Sequence, residues 1–203
     1  MKFRILVWLV LVALMAAGLF AAETLLEQKN LASKTIRLHV VANSDSESDQ
    51  EQKLRVRDAV LQRVSMLTAD CSDAQAAQEQ IASHLEEIRK TAQNVLYAEQ
   101  SDYTVEASVS FEEFPTRRYD TFSLPAGSYP TLRINIGRAA GHNWWCVVFP
   151  SLCTAATAEE LSDCAQTGGY DRTETALITG GEEEYELRFK TLEWLQKLRQ
   201  WFQ

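Results

Sequence analysis

Two stretches of this 203-residue chain gather side chains that could do chemistry. The first is His39-Val40-Val41-Ala42-Asn43-Ser44-Asp45, followed by Asp49 and the pair Arg57-Asp58. Acids grouped behind a strand could hold a cation or supply a general acid. Their order is not the D-x-D-x-D-G of a calcium loop. The plainer reading is helix capping and a solvated turn; set against it, Asn43, Ser44 and Asp45 are candidate contacts for a partner. His39 reads as a packed, hydrogen-bonded strand histidine rather than a ligand or base.

The second stretch is Gly141-His142-Asn143-Trp144-Trp145-Cys146-Val147-Val148-Phe149-Pro150-Ser151-Leu152-Cys153. His142 stands four residues before Cys146, and a thiolate beside an imidazole is a nucleophile. The competing reading is a turn histidine and a structural cysteine, because a catalytic thiol in an oxidising compartment is lost to disulfides. Trp144 and Trp145 are adjacent on a strand, so they point to opposite faces. One enters the core and the other is either a candidate partner contact, since Trp buries much area at little entropic cost, or packed in the core as well. No G-x-S-x-G, H-E-x-x-H, Walker loop or G-x-G-x-x-G occurs, and His39, His84 and His142 are scattered. The sequence therefore assigns no catalytic, metal or cofactor-binding residue.

The elements that position these stretches follow from periodicity. Thr35 to Ala42 reads as a strand entering the core. Ser48 and Glu51 make a capping-box pattern for a helix whose apolar face uses Leu54, Ala59 or Val60, Leu61, Val64 and Leu67. Ser72 with Gln75 caps a second helix to about Tyr97, striped by Ile81, Leu85, Ile88, Ala92 and Val95. Tyr103, Val105, Ala107, Val109 and Phe111 alternate with polar residues, which is a half-buried strand. Further strands are read over Tyr119–Leu124 and around Leu132–Ile136, and Trp144–Phe149 is either a buried strand or an exposed aromatic surface. Residues 151–181 read as a loop region with a short helix near Ala158–Cys164. Glu182–Gln203 reads as an amphipathic helix with Trp194 and Trp201 beside its apolar face. The order β-α-α-β-β-β-β-α predicts an α+β domain, an antiparallel sheet with helices packed on one face.

Ahead of this domain lies a different kind of segment. Lys2 and Arg4 precede an uncharged run from Ile5 to Ala22. In a helix that run is about 27 Å long, enough to cross a bilayer. It is either a cleaved signal peptide or a retained membrane anchor, and both readings export the rest of the chain. Residues 1–22 are thus the export segment, 23–34 a linker with some helix, and 35–203 one exported domain. Residues 1–22 carry two bases and no acid, so of the chain's 20 basic and 28 acidic residues the exported part keeps 18 and 28. Its net charge is -10 where the whole chain has -8. That acidity excludes a nucleic-acid surface and opposes binding to anionic lipid.

Cys71, Cys146, Cys153 and Cys164 all lie in the exported part. An even number there favours disulfides. A turn at Pro150 would bring Cys146 to Cys153, leaving Cys71 and Cys164 as a weaker second pair.

Several ordered motifs resemble the stage II sporulation protein R family. They are Ile36-Arg37-Leu38-His39-Val40-Val41-Ala42-Asn43-Ser44-Asp45 with Val56-Arg57-Asp58-Ala59-Val60, then Phe114-Pro115-Thr116-Arg117 and Leu124-Pro125-Ala126-Gly127, then Asn143-Trp144-Trp145-Cys146 through Cys153, and Glu186-Leu187-Arg188-Phe189-Lys190. The resemblance covers most of residues 36–195 and is weakest over 154–181. It implies an exported intercellular signal of endospore formation, without enzymatic activity or a cofactor. Such a signal passes from the forespore into the intermembrane space. There it activates a membrane-embedded aspartic protease, its partner, which processes pro-sigma-E in the mother cell. An exported hydrolase using Cys146 and His142, or the acidic turn, is the alternative.

Overall fold

A computed structural model describes residues 2–154, 157–179 and 190. The expected helix over Glu182–Gln203 lies outside them except at Lys190, which is helical. The elements in chain order are α1 (Lys2–Ser33), β1 (Ile36–Val41), α2 (Glu47–Thr68), α3 (Ala74–Ser83), α4 (Leu85–Ala98), β2 (Val105–Phe114), β3 (Arg117–Arg118), β4 (Ser123–Leu124), β5 (Gly127–Ile136), β6 (Asn143–Phe149), a 3-10 turn (Leu152–Thr154), α5 (Ala158–Thr167) and α6 (Arg172–Thr179).

The α+β class is as expected, but the sheet is mixed. Its order is β2-β5-β1-β6. β2–β5 and β1–β6 are antiparallel, while β1 and β5 run parallel, with Leu38 opposite Leu132 and Val40 opposite Ile134. β1 is central and buried along its whole length. It is covered on both faces, which is the environment parallel pairing requires. One face meets α2, α3 and α4 through Leu38, Val40, Leu132, Ile134, Val56, Val60, Ile81, Ile88 and Leu96. The other face is covered in part as well. The end of α1 reaches it through Leu31 and Ala32, beside Phe122 and Leu124 near the β3–β4 ribbon and Leu161 and Ile178 of α5 and α6.

Local details differ from expectation for identifiable reasons. α2 is capped by Ser46, which accepts from the Asp49 amide at 3.2 Å, rather than by Ser48. Its buried stripe is Asp49, Lys53, Val56, Val60, Val64 and Thr68, so Leu54 falls off the face and a lysine falls on it. The helix expected from Ser72 to about Tyr97 breaks at His84. There the Ser83 hydroxyl and the His84 ring both reach the Gln80 carbonyl, competing with the helical ladder. The apolar stripe nevertheless continues across the break. β2 is an edge strand, and Phe111 is 68% exposed. Tyr119 is not in a strand but in the turn of the short β3–β4 ribbon.

Residues 23–34, read as a linker with some helix, form the last turns of α1. Thr24, Gln28, Leu31 and Ala32 are buried at three- and four-residue steps, so this end docks on the sheet. Gly127 leaves space for it, since a Cβ there would collide with the Gln28 amide. The preceding apolar part is long enough to cross a membrane and none of it is buried.

Candidate functional site

The fold brings the two chemistry-bearing stretches side by side at one end of the sheet. β1 ends in the Asn43–Asp45 turn, and its antiparallel neighbour β6 begins just beyond Gly141-His142. The backbone amides of Ala140 and Gly141 donate to the carbonyls of Asn43 and Ala42. A side chain at Gly141 would strike the Ser44 carbonyl, so the close approach requires glycine. Gly137 has φ +55 and lies against the Asn43 side chain, another position suited to glycine.

Asn43 is buried and occupied. Its amide donates to Asp49 at 2.8 Å and its oxygen accepts from the Arg138 amide at 3.0 Å. The Ser44 hydroxyl donates to the same Asp49 oxygen at 2.5 Å. Burial pushes the Asp49 carboxyl up, but donors from Ser44, Asn43 and Ser46 outweigh it and hold it below the usual range. Asp49 is thus a fixed anion at neutral pH and a poor proton carrier. Lys53, also buried, donates to Gln50 at 2.5 Å and to the His142 carbonyl at 3.2 Å. Burial lowers its pKa, Asp45 opposes that and Arg57 adds to it. Asp45 faces outward and holds the loop, accepting from the His142 amide at 2.6 Å and lying 2.6 Å from the His142 ring.

A pH dependence follows. Asp49 has a depressed pKa in the folded state, so its stabilisation is present above the unfolded value near 3.8 and is lost as pH falls through the folded one. We expect stability to decline below about pH 4 in the native chain. Asp49→Asn should flatten that decline and lower stability at pH 7 by about 1–3 kcal/mol. Urea titrations at pH 7 and pH 3.5 check it, and an unchanged pH profile in the variant would count against this role.

β6 sends its two tryptophans to opposite faces, as the alternation predicts. Trp144 is 38% exposed on the helix side, and the Arg57 guanidinium lies over it, 4.4 Å from the ring centroid. Trp145 is half-buried on the other face, between His39 and Phe114, with Arg117 over it at 3.7 Å. His39 is hydrogen-bonded as expected, 2.7 Å from Glu112 and 3.0 Å from Asn143. Periodicity alone did not reveal that both indoles carry arginines. A cleft of about 780 Å³ joins the two rings around the edge of β6, floored by Cys146, Leu152, Cys153 and Phe122.

Cys146 and Cys153 form a disulfide, with their Cα atoms 6.3 Å apart, inside the usual range. No Cys146 thiolate is then available to His142. The expected second pair does not form: Cys71 packs against the α2–α3 side of the core, Cys164 in the cluster of α5. Burial raises both thiols, and nearby acids (Asp73 and Asp70, Glu160 and Asp163) raise them further. We expect two titratable thiols under denaturing, non-reducing conditions and four after reduction; four without reductant would contradict the disulfide. Among the described residues no group of three His, Cys, Asp or Glu side chains could hold a metal ion.

Comparison with known proteins agrees with these motifs. The family model described as stage II sporulation protein R matches residues 32–159. A Bacillus subtilis (strain 168) protein named stage II sporulation protein R is 35% identical over 140 residues. That alignment covers 67% of this chain and 62% of the relative's own length. No solved structure matches. The matched region runs from the end of α1 through the sheet to the disulfide, taking in both tryptophans, and on this evidence the chain belongs to the stage II sporulation protein R family.

Proposed function

We propose that this protein is an exported signal of endospore formation that activates a membrane-embedded aspartic protease, and so drives pro-sigma-E processing in the mother cell. It is made in the forespore and acts in the intermembrane space. Family membership supports the sporulation role, and the apolar first half of α1 supports export or anchoring. The observation that carries the non-enzymatic part is the fate of the nucleophile pair. Cys146 is in a disulfide and His142 is held by Asp45, while both tryptophans remain at a cleft.

Activation needs only preferential binding to the protease's active state. About 1.4 kcal/mol of differential affinity shifts that equilibrium tenfold. The test is co-expression of this chain with the membrane protease and the sigma precursor in cells that do not sporulate. Cleavage of the precursor is expected only when the chain is exported. A precursor that stays intact alongside the exported chain would refute the reading.

A further inference from the structure

We infer that the cleft around β6 receives an acidic, extended segment of the partner, and that Arg117 takes its carboxylate. This rests on the signalling reading and names the chemistry of its contact.

Three cationic side chains, Arg57, Arg117 and Arg118, line the cleft with two acids, Asp58 and Asp120. Arg57 is engaged by Asp58, at 2.8 Å from Nε and 2.7 Å from Nη2. Arg117 differs. Its Nε is buried with no hydrogen-bond partner, and no carboxylate among the described residues pairs with it. Its stacking on Trp145 fixes the plane of the guanidinium, and because the Nε edge is buried, the two Nη groups are the part a ligand can reach. A stacked guanidinium whose two Nη groups make no ion pair among the described residues can take a carboxylate end-on and bidentate, which an ammonium could not reproduce.

The surroundings select the ligand further. The exported domain carries a net charge of -10, so an acidic ligand is repelled over most of the surface and finds its pairing only at short range, at a cation such as Arg117. The same charge disfavours an anionic lipid surface as the occupant. The floor is apolar, formed by the disulfide with Leu152 and Phe122. The fitting ligand is therefore a peptide segment with Asp or Glu next to an apolar or aromatic residue. On the signalling reading it belongs to the exported side of the protease.

The test uses the full-length chain in detergent with the full-length protease. Arg117→Gln is expected to reduce co-purification roughly tenfold or more, Arg117→Lys to restore it only in part, and Arg117→Glu to abolish it. Folding is controlled by a melting temperature within about 2 °C of the parent. Reversing one Asp or Glu in the protease's exported segments to Arg should restore binding to Arg117→Glu. Unchanged co-purification of Arg117→Gln and Arg117→Glu, with the parent chain still triggering cleavage, would overturn the cleft and leave the activation reading intact. Arg117-dependent co-purification without any precursor cleavage would do the reverse. Arg117-dependent binding to phosphatidylglycerol vesicles, with none to the protease, would make the site a lipid one and overturn the proposal.

Discussion

Deleting residues 1–33 is expected to unfold much of the second sheet face, whereas deleting residues 1–22 leaves the domain folded and abolishes signalling. The difference lies in where α1 begins to be buried. Up to Ala22 its large apolar side chains face outward, so their removal takes nothing from the core. Beyond that point Leu31 is 0% exposed within the cluster of Phe122, Leu124, Val147, Tyr170 and Ile178. Ala32 packs with Phe114 and Tyr129. The Leu31 carbonyl accepts from the Thr35 hydroxyl at 2.6 Å. Loss of a buried leucine alone costs about 2–5 kcal/mol. Adding the other contacts brings the loss near the total stability of a typical domain, about 5–15 kcal/mol. Urea unfolding of the two truncated chains measures this. Equal midpoints would refute the docking of α1, and retained signalling by the shorter deletion would refute the export topology.

Some of this architecture could be read directly from residue patterns. The stretch from Thr35 to Ala42 alternates and then turns wholly apolar, which marks a strand entering the core, and the alternation from Tyr103 marks a half-buried strand. The Cys146–Cys153 pair followed from short spacing and a proline between. What was hidden depends on tertiary context. The parallel pairing of β1 with β5 joins segments about ninety residues apart in sequence, and apolar alternation is the same for either strand direction. Lysine seldom enters a core, so nothing in the helical pattern singles out Lys53, yet it is buried and its long stem reaches the His142 carbonyl. Arg117 carried no signal beyond its place in the family motif, because stacking on Trp145 depends on how the β3–β4 ribbon folds over β6. Asn43, Ser44 and Asp45 were read correctly as one turn. Their individual roles, two side chains tied inward to Asp49 and one facing His142, needed the fold.

Arg37→Met is expected to leave the protein at least as stable as the parent, and by general experience with buried ions more stable by about 1–4 kcal/mol. In a strand that alternates, an arginine reads as solvent-facing, yet Arg37 is 0% exposed. Its Nη2 donates to the Tyr119 hydroxyl at 2.8 Å, while Nε and Nη1 have no hydrogen-bond partner. Its Cζ lies 3.9 Å from the Phe114 ring centroid and 5.1 Å from that of Tyr129. Neither tyrosine is a counter-ion. Burial raises both phenols, which Arg37 only partly offsets, so they stay neutral. A buried cation held by ring faces and one hydroxyl recovers about 0.5–2 kcal/mol from those rings. That is less than the several kcal/mol of its desolvation. Methionine keeps most of the volume and removes the charge. Arg37→Ala removes volume too and is expected to destabilise by about 2–5 kcal/mol through the cavity. Paired urea curves separate the two effects, and a methionine variant weaker than the parent by more than about 2 kcal/mol would show that the cation stabilises the fold after all. The stable variant also has a use at the cleft. Tyr119 lines it, stacked on Phe122 at 4.4 Å, and loses the donor that orients its hydroxyl. Arg37→Met should therefore weaken co-purification with the protease while raising the urea midpoint. A stability deficit cannot produce that combination, so it would place the role of Arg37 in presenting Tyr119 to the partner.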